Sequence, residues 1–239
     1  MRLPPTLGRL AVLLALLPLP GRADVGAPPP PLPAFQVAEL TGIARLRSPL
    51  RNSGGCTAVL IAADYALTAR HCARGSGGNV IFDPDGPSPH HVAVAEVSLH
   101  PDYPQGAELS METAGFDLSL LHLAEPVPPE IAQPIPLASL DAALPHALIG
   151  YLNANDGPLH GHDGCGIAQL SEALIASDCT TASGQSGGAF LRDTPQGWVL
   201  TGIVVATIPG AQGNLRSLMA VLDPATFPAL AEVLAAPAD

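Results

Sequence analysis

The sequence predicts an all-β fold of barrel or sandwich type, closed by a single C-terminal helix. Three observations carry that expectation. Short apolar runs recur with turn residues between them. No alternation of strands with long helical patterns appears, so a parallel sheet is not expected. Helical periodicity is found at the end of the chain, after the last strand-like run. The chain is long enough for one large domain or two small ones, at 239 residues with 47% apolar content. Aromatic residues are only 4% of the sequence, so the core must be built from Ala, Val, Leu and Ile.

Residues 1–23 read as a secretory signal. Arg2 and Arg9 give a positive start, the run from Leu10 to Leu17 is apolar but too short to span a bilayer, and Gly21-Arg22-Ala23 places small residues where a signal peptidase cuts. Cleavage near Ala23 puts the protein outside the cell or in the periplasm. It removes three arginines and no acid, taking the formal charge from −11 to −14. An acidic chain without lysine, whose ten basic residues are all arginines, argues against nucleic acid and against anionic membrane surfaces as partners. A monomer is expected.

Residues 24–38 include Pro28 to Pro31 and read as a linker or pro-segment of polyproline character, outside the core. The β pattern begins at 39 and the first half extends to 125. Thr57–Ile61 and Tyr65–Ala69 make a hairpin around Ala62-Ala63-Asp64. Further strands are expected at Asn79–Phe82 and His91–Leu99, separated by the turn Asp83-Pro84-Asp85-Gly86-Pro87, and again at Phe116–Leu123. Residues 126–146 are rich in proline and read as a crossing connection. The second half, 147–239, begins with the strand Ala147–Tyr151. Gly164–Ala168 and Ala173–Ala176 look like a pair, and Trp198–Ile208 is a long β run interrupted by Gly202. In the closing helix, Asp223 is expected as N-cap and Pro224 as first helical residue, with Phe227, Leu230, Ala231 and Leu234 on one face.

Four cysteines in an exported chain suggest two disulfides, for which three connectivities exist. Sequence order favours Cys56–Cys72 and Cys165–Cys179, each within one local segment. Zinc is the rival use, but the pairs lack the CxxC spacing of a structural zinc site. His160-Gly161-His162-Asp163 could share an ion, yet it falls in a Gly/Asp/Pro-rich stretch without clear third and fourth ligands, and reads as a solvated loop. No metal and no cofactor are expected.

Three strings carry chemistry. Thr68-Ala69-Arg70-His71-Cys72 places an imidazole at a strand end beside a cysteine that would fix it. Asp117-Leu118-Ser119-Leu120-Leu121 puts an acid at the head of an apolar strand. Gly184-Gln185-Ser186-Gly187-Gly188 sets a serine among glycines that let the main chain approach a reacting group. Asp102 and Asp83 compete for the carboxylate role; both lie in turn or loop sequence, which favours Asp117.

In that order these strings resemble the chymotrypsin-like (trypsin-fold) serine peptidases, over roughly Gly42 to Leu234. His100-Pro101-Asp102-Tyr103 and the run Thr201-Gly202-Ile203-Val204 before the helix are similar as well. The resemblance implies two six-stranded antiparallel β-barrels, 39–125 and 147–239, with the site in the cleft between them. It implies a catalytic triad of His71, Asp117 and Ser186, with an oxyanion hole of the Gly184 and Ser186 N–H groups. It implies endopeptidase activity on protein or peptide substrates. A non-catalytic binding module of the same fold is the alternative.

Gln185 departs from the family, standing where an aspartate usually receives a newly cut N-terminus. Cys179 lies seven positions before Ser186, a spacing closer to bacterial trypsin-like and glutamyl-endopeptidase-like members. By position, Thr180 and Thr181 would form the base of the substrate pocket, and Val205, Ala206 and Thr207 one wall. Without a carboxylate at the base, a small or medium uncharged side chain is expected there. Val204 stands where glutamyl endopeptidases carry a histidine, and Val205 where a serine often supports the buried aspartate. Some other donor must then satisfy Asp117.

Overall fold

A computed structural model of the chain describes residues 29–32, 34–47, 55–73, 78–153, 157–209 and 215–236. The proposed signal, 1–23, lies outside them. Thirteen strands and two short α-helices occur among the described residues. The first unit contains β1 (Ile43–Arg47), β2 (Cys56–Ala62), β3 (Tyr65–Ala69), β4 (Asn79–Phe82), β5 (His90–Leu99) and β6 (Leu118–Leu123). They close into an antiparallel barrel in the order β1-β2-β3-β6-β5-β4. The second unit is a barrel-like antiparallel sheet of seven strands, one more than the resemblance implies. It contains β7 (His146–Gly150), β8 (His160–Cys165), β9 (Ile167–Gln169), β10 (Leu174–Ser177), β11 (Ala189–Thr194), β12 (Gly197–Pro209) and β13 (Leu215–Val221), in the order β8-β7-β11-β12-β13-β10-β9.

One wall of the barrel is buried on both faces, which explains its near-continuous apolar sequence. Successive side chains of a strand point to opposite sides. Ala58 and Leu60 of β2, Ala66 of β3 and Leu121 and Leu123 of β6 fill the barrel interior around Phe82. Val59 and Ile61, Leu67 and Ala69, and Leu118 and Leu120 face the other way. There they join Ala147, Ile149, Leu191, Ile203 and Val205 of the second sheet in one cluster. The two sheets therefore share a core, and the residues at the inter-sheet junction are as buried as those of the barrel interior.

Both disulfides join the pairs favoured by sequence order, Cys56–Cys72 and Cys165–Cys179. The expected strands at 57–61, 65–69, 79–82 and 91–99 lie within β2 to β5, and β9 pairs with β10. Three expectations are corrected. His160-Gly161-His162-Asp163 is not a loop but most of β8, paired along β7 from Gly150↔His160 to His146↔Cys165. The terminal helix, α2, spans Pro228–Ala235, with Pro228 rather than Pro224 in its first turn. Asp223 instead closes a turn, accepting the Ala225 N–H on its side chain at 2.9 Å and the Thr226 N–H on its carbonyl at 3.2 Å. A short helix, α1 (Ala34–Glu39), overlaps the stretch 24–38 read as linker, so the C-terminal helix is not the single one expected.

Two buried histidines tie stability to pH. His146 is 2% exposed, stacks on Phe190 and donates from Nδ1 to Leu144 O at 2.9 Å. His100 is 4% exposed, packs between Phe116 and Phe227, and accepts the Asp102 N–H on Nδ1. Burial pushes both imidazoles below their ordinary value of 6.5. The unfolded chain then binds more protons than the folded one. The associated stability is complete above pH 6.5 and is lost as the pH falls below it. Chemical denaturation should give a midpoint that is flat from pH 8 to about 7 and declines below about 6.5, with a shallower decline in His146→Phe.

Candidate active site

The register of two neighbouring strands brings His71 and Asp117 together. Strands β3 and β6 pair antiparallel with Ala69 opposite Leu118. The residues just after β3 and just before β6 therefore meet at one edge. After β3 the chain turns once through a 3-10 segment, Arg70–Cys72, which carries His71. Asp117 follows another 3-10 turn, Ala114–Phe116. Arg70 N–H donates to Asp117 O at 2.9 Å, locking the two turns. The Arg70 guanidinium lies over the Tyr103 ring, 4.1 Å from its centroid, a cation–π contact that ties the 100–103 loop to the same turn.

Asp117 is fully buried and both its oxygens are used. Oδ2 meets His71 Nδ1 at 2.6 Å, and Oδ1 accepts the His71 backbone N–H at 3.0 Å. That backbone bond supplies the donor that Val205 cannot. Val205 packs in the shared core, 1% exposed. The carboxylate thus fixes the imidazole through both its ring and its main chain. The Cys56–Cys72 bridge, closing a 16-residue separation, restrains the next residue. Asp83 and Asp102 are surface residues in turns.

Ser186 arrives from the second sheet. Gly187 N–H donates to Val204 O at 2.7 Å and Val204 N–H to Gly188 O at 2.9 Å, which leads the chain from the serine into β11. Gly187 has φ +80°, and a Cβ on it would stand 2.1 Å from Thr57 O, so only glycine fits. Ser183 O accepts the Asn153 N–H at 2.8 Å. In a trans peptide this aims the following Gly184 N–H away from Asn153. Among the described residues the N–H groups of Gly184 and Ser186 bond to no other group. No hydrogen bond joins His71 to the Ser186 hydroxyl among the described residues. Such contacts commonly tighten only when substrate is bound.

Thr57 was not singled out by the sequence, yet it joins the two halves of the site. It belongs to β2 and is fully buried. Its hydroxyl donates to Gly184 O at 3.0 Å and accepts the Tyr151 N–H at 2.9 Å. Its own N–H donates to Ser186 O at 2.8 Å, and its carbonyl accepts the Thr68 hydroxyl at 2.7 Å. A β-branched residue in a strand carries no signal of such a role.

Beside Ser186 lies a cavity of about 260 Å³ lined by Thr181, Ala182, Ser183, Val204, Ala206 and Thr207. Thr180 and Val205 do not line it. Thr180 stands behind, hydrogen-bonded to His162 Nε2 at 3.0 Å. Burial holds the His162 pKa below 6.5, so this imidazole is neutral at neutral pH. The Thr181 and Thr207 hydroxyls bond each other across the wall. A larger cavity, about 810 Å³, lies between the β2–β3 turn, β6 and α2, away from these residues. His160 Nδ1 is engaged with Pro29 O and His162 Nε2 with Thr180, so each imidazole of the sequence motif already has a protein partner. Cys56, His71 and Cys72 come within metal-binding distance of one another, but both sulfurs are in a disulfide and offer no thiolate.

Comparison with known families gives a match to the model described as Trypsin over residues 44–224. No curated protein matches the chain.

Replacing Thr57 tests the junction. Thr57→Val keeps shape but leaves Gly184 O and the Tyr151 N–H unpaired in a buried place. Chemical denaturation should register a loss of about 1–3 kcal/mol, largely restored in Thr57→Ser.

Proposed function

The chain belongs to the trypsin family of serine peptidases, and from that premise we propose that it is an exported endopeptidase acting through His71, Asp117 and Ser186. The observation that carries the reading is the buried Asp117 bonded to His71 Nδ1 at 2.6 Å, at the edge where Ser186 enters from the other sheet. The mechanism is carried over from the family's triad. Asp117 holds the imidazole with Nδ1 protonated, leaving Nε2 to take the Ser186 proton. Ser186 Oγ attacks the carbonyl carbon of the scissile bond. The Gly184 and Ser186 N–H groups receive the oxyanion. The imidazolium, stabilised by Asp117, gives its proton to the leaving amine, and an acyl-enzyme remains. Water activated by His71 then releases the acid.

Two disulfides support an oxidising compartment, outside the cell or in the periplasm. Gln185 before the nucleophile supports kinship with bacterial members that need no N-terminal ion pair. The protein substrate would place a small or medium uncharged side chain in the 260 Å³ cavity. The enzyme would act as a monomer, without metal or cofactor.

A fluorophosphonate probe should label the folded, disulfide-intact protein, and Ser186→Ala should abolish labelling. Absence of labelling in the unsubstituted protein would leave the binding-module reading in its place. Asp117→Asn should keep the fold while lowering kcat on a peptide ester by about 10⁴, the loss characteristic of a triad whose imidazole is held in the wrong tautomer.

A further inference from the structure

Gln185 is fully buried, and both ends of its amide are used. Its Oε1 accepts the Ala182 N–H at 3.0 Å, while its own N–H donates to Ala182 O at 3.1 Å. This reciprocal pair ties residues 182–185 into the turn that presents Gly184. The other end of the amide leaves the turn: Nε2 donates to His160 O at 3.0 Å. The geometry of the Gly184 N–H is thus referred, through Gln185, to the position of one carbonyl on β8.

That carbonyl sits at the first residue of an edge strand, a place where sheets fray. Here the outer side of β8 is not bare. Pro31 bridges antiparallel to His160. Leu32 N–H donates to Leu159 O at 2.8 Å, and Gly161 N–H donates to Pro30 O at 3.0 Å. His160 Nδ1 meets Pro29 O at 2.7 Å, and Pro29 is buried. The four residues Pro29–Leu32 therefore grip both sides of His160. Prolines accept hydrogen bonds but have no N–H to donate, so such a strand can add to an edge and cannot extend the sheet further.

We infer that Pro29–Leu32 is a working part of the enzyme, a strap that holds the His160 carbonyl against Gln185 and so keeps the Gly184 N–H in place. This inference rests on the peptidase reading above. Gln185 is then a positioning residue, and the strap supplies from outside the sheet what an inserted charged N-terminus would supply through an aspartate. A neutral amide needs no cationic partner, and cleavage anywhere upstream of Pro29 leaves the device intact. Cleavage after Leu32 releases it. The stretch read from sequence as a linker or removable pro-segment is on this account retained.

The test uses the full chain with a site-specific protease sequence inserted after Leu32, cut after folding and freed of the released segment. Uncut and cut forms are compared for kcat and KM on a peptide ester, for fluorophosphonate labelling, and for hydrogen exchange of the 182–188 amides. Gln185→Met, similar in size but without hydrogen bonds, is measured in parallel. Cutting should lower kcat at least about tenfold with KM within about twofold. Gln185→Met should approach the loss of about 10² that follows removal of an oxyanion donor. Amide exchange in 182–188 should rise at least about tenfold in both. Unchanged exchange in the cut form overturns the strap, whether or not the protein is catalytic. So does a kcat per folded molecule within twofold of the uncut form. An uncut chain that the probe fails to label, with exchange still rising on cutting, supports the strap and overturns the peptidase reading instead.

Discussion

The Gly184–Gly188 loop that carries Ser186 hangs on the first barrel through Thr57. A loop of glycines has little side-chain packing to hold it and loses more backbone entropy on ordering than other sequences. Its conformation must be set by main-chain bonds to something rigid. Thr57 provides that from a strand buried on both faces, with one bond to Ser186 O, one to Gly184 O and one to Tyr151 N. Because the hydroxyl both donates and accepts, Gly184 and Tyr151 are referred to the same atom, while the backbone N–H of the same residue holds Ser186 O. The closeness this requires is why Gly187 can carry no side chain: Thr57 O and the Thr68 hydroxyl occupy the place of its Cβ.

The same wall of the barrel carries the other half of the site. His71 and Asp117 leave the ends of β3 and β6 where those strands are already in register, so their meeting needs no long-range adjustment. The turn before Asp117 packs on the second sheet, with Gly115 close against Ala173. Asp117 is fully buried beside this contact, in a place where a carboxylate–imidazole hydrogen bond is stronger than in water. A disruption of the inter-sheet core would loosen Asp117, His71 and Ser186 together. The shared cluster running from Leu67 and Leu118 to Ile149 and Ile203 is thus part of the site's construction.

Much of this was legible in the sequence, for identifiable reasons. Strands with two buried faces read as apolar runs, and cysteines paired within local segments left little ambiguity. Strand β8 was not legible, because His160-Gly161-His162-Asp163-Gly164 has the composition of a loop. It forms a strand because β7 pairs with its inner side, and Pro29–Leu32 flanks the start of its outer side. The helix start moved because two prolines compete for the first turn, and Asp223 satisfies a tight turn ahead of the second. Thr57 was hidden because its role lies in what crosses to it from more than ninety residues away. Gln185 announced itself as a departure, but its partner carbonyl belongs to a backbone position that no side-chain pattern marks.

The cavity beside Ser186 follows the same logic of satisfied neutral groups. Its threonine hydroxyls are spent on each other, Thr181 on Thr207, and behind them Ser217 bonds Cys179 O at 2.7 Å and Thr181 at 3.3 Å. Behind them Thr180 meets an imidazole that burial keeps uncharged. A charged side chain entering this space would give up its hydration without meeting a counter-ion, a cost of several kcal/mol. A small uncharged group meets no such cost, so on the proposed reading discrimination here would work by exclusion. It would then depend on the hydrogen bond that the Thr181 and Thr207 hydroxyls make with each other.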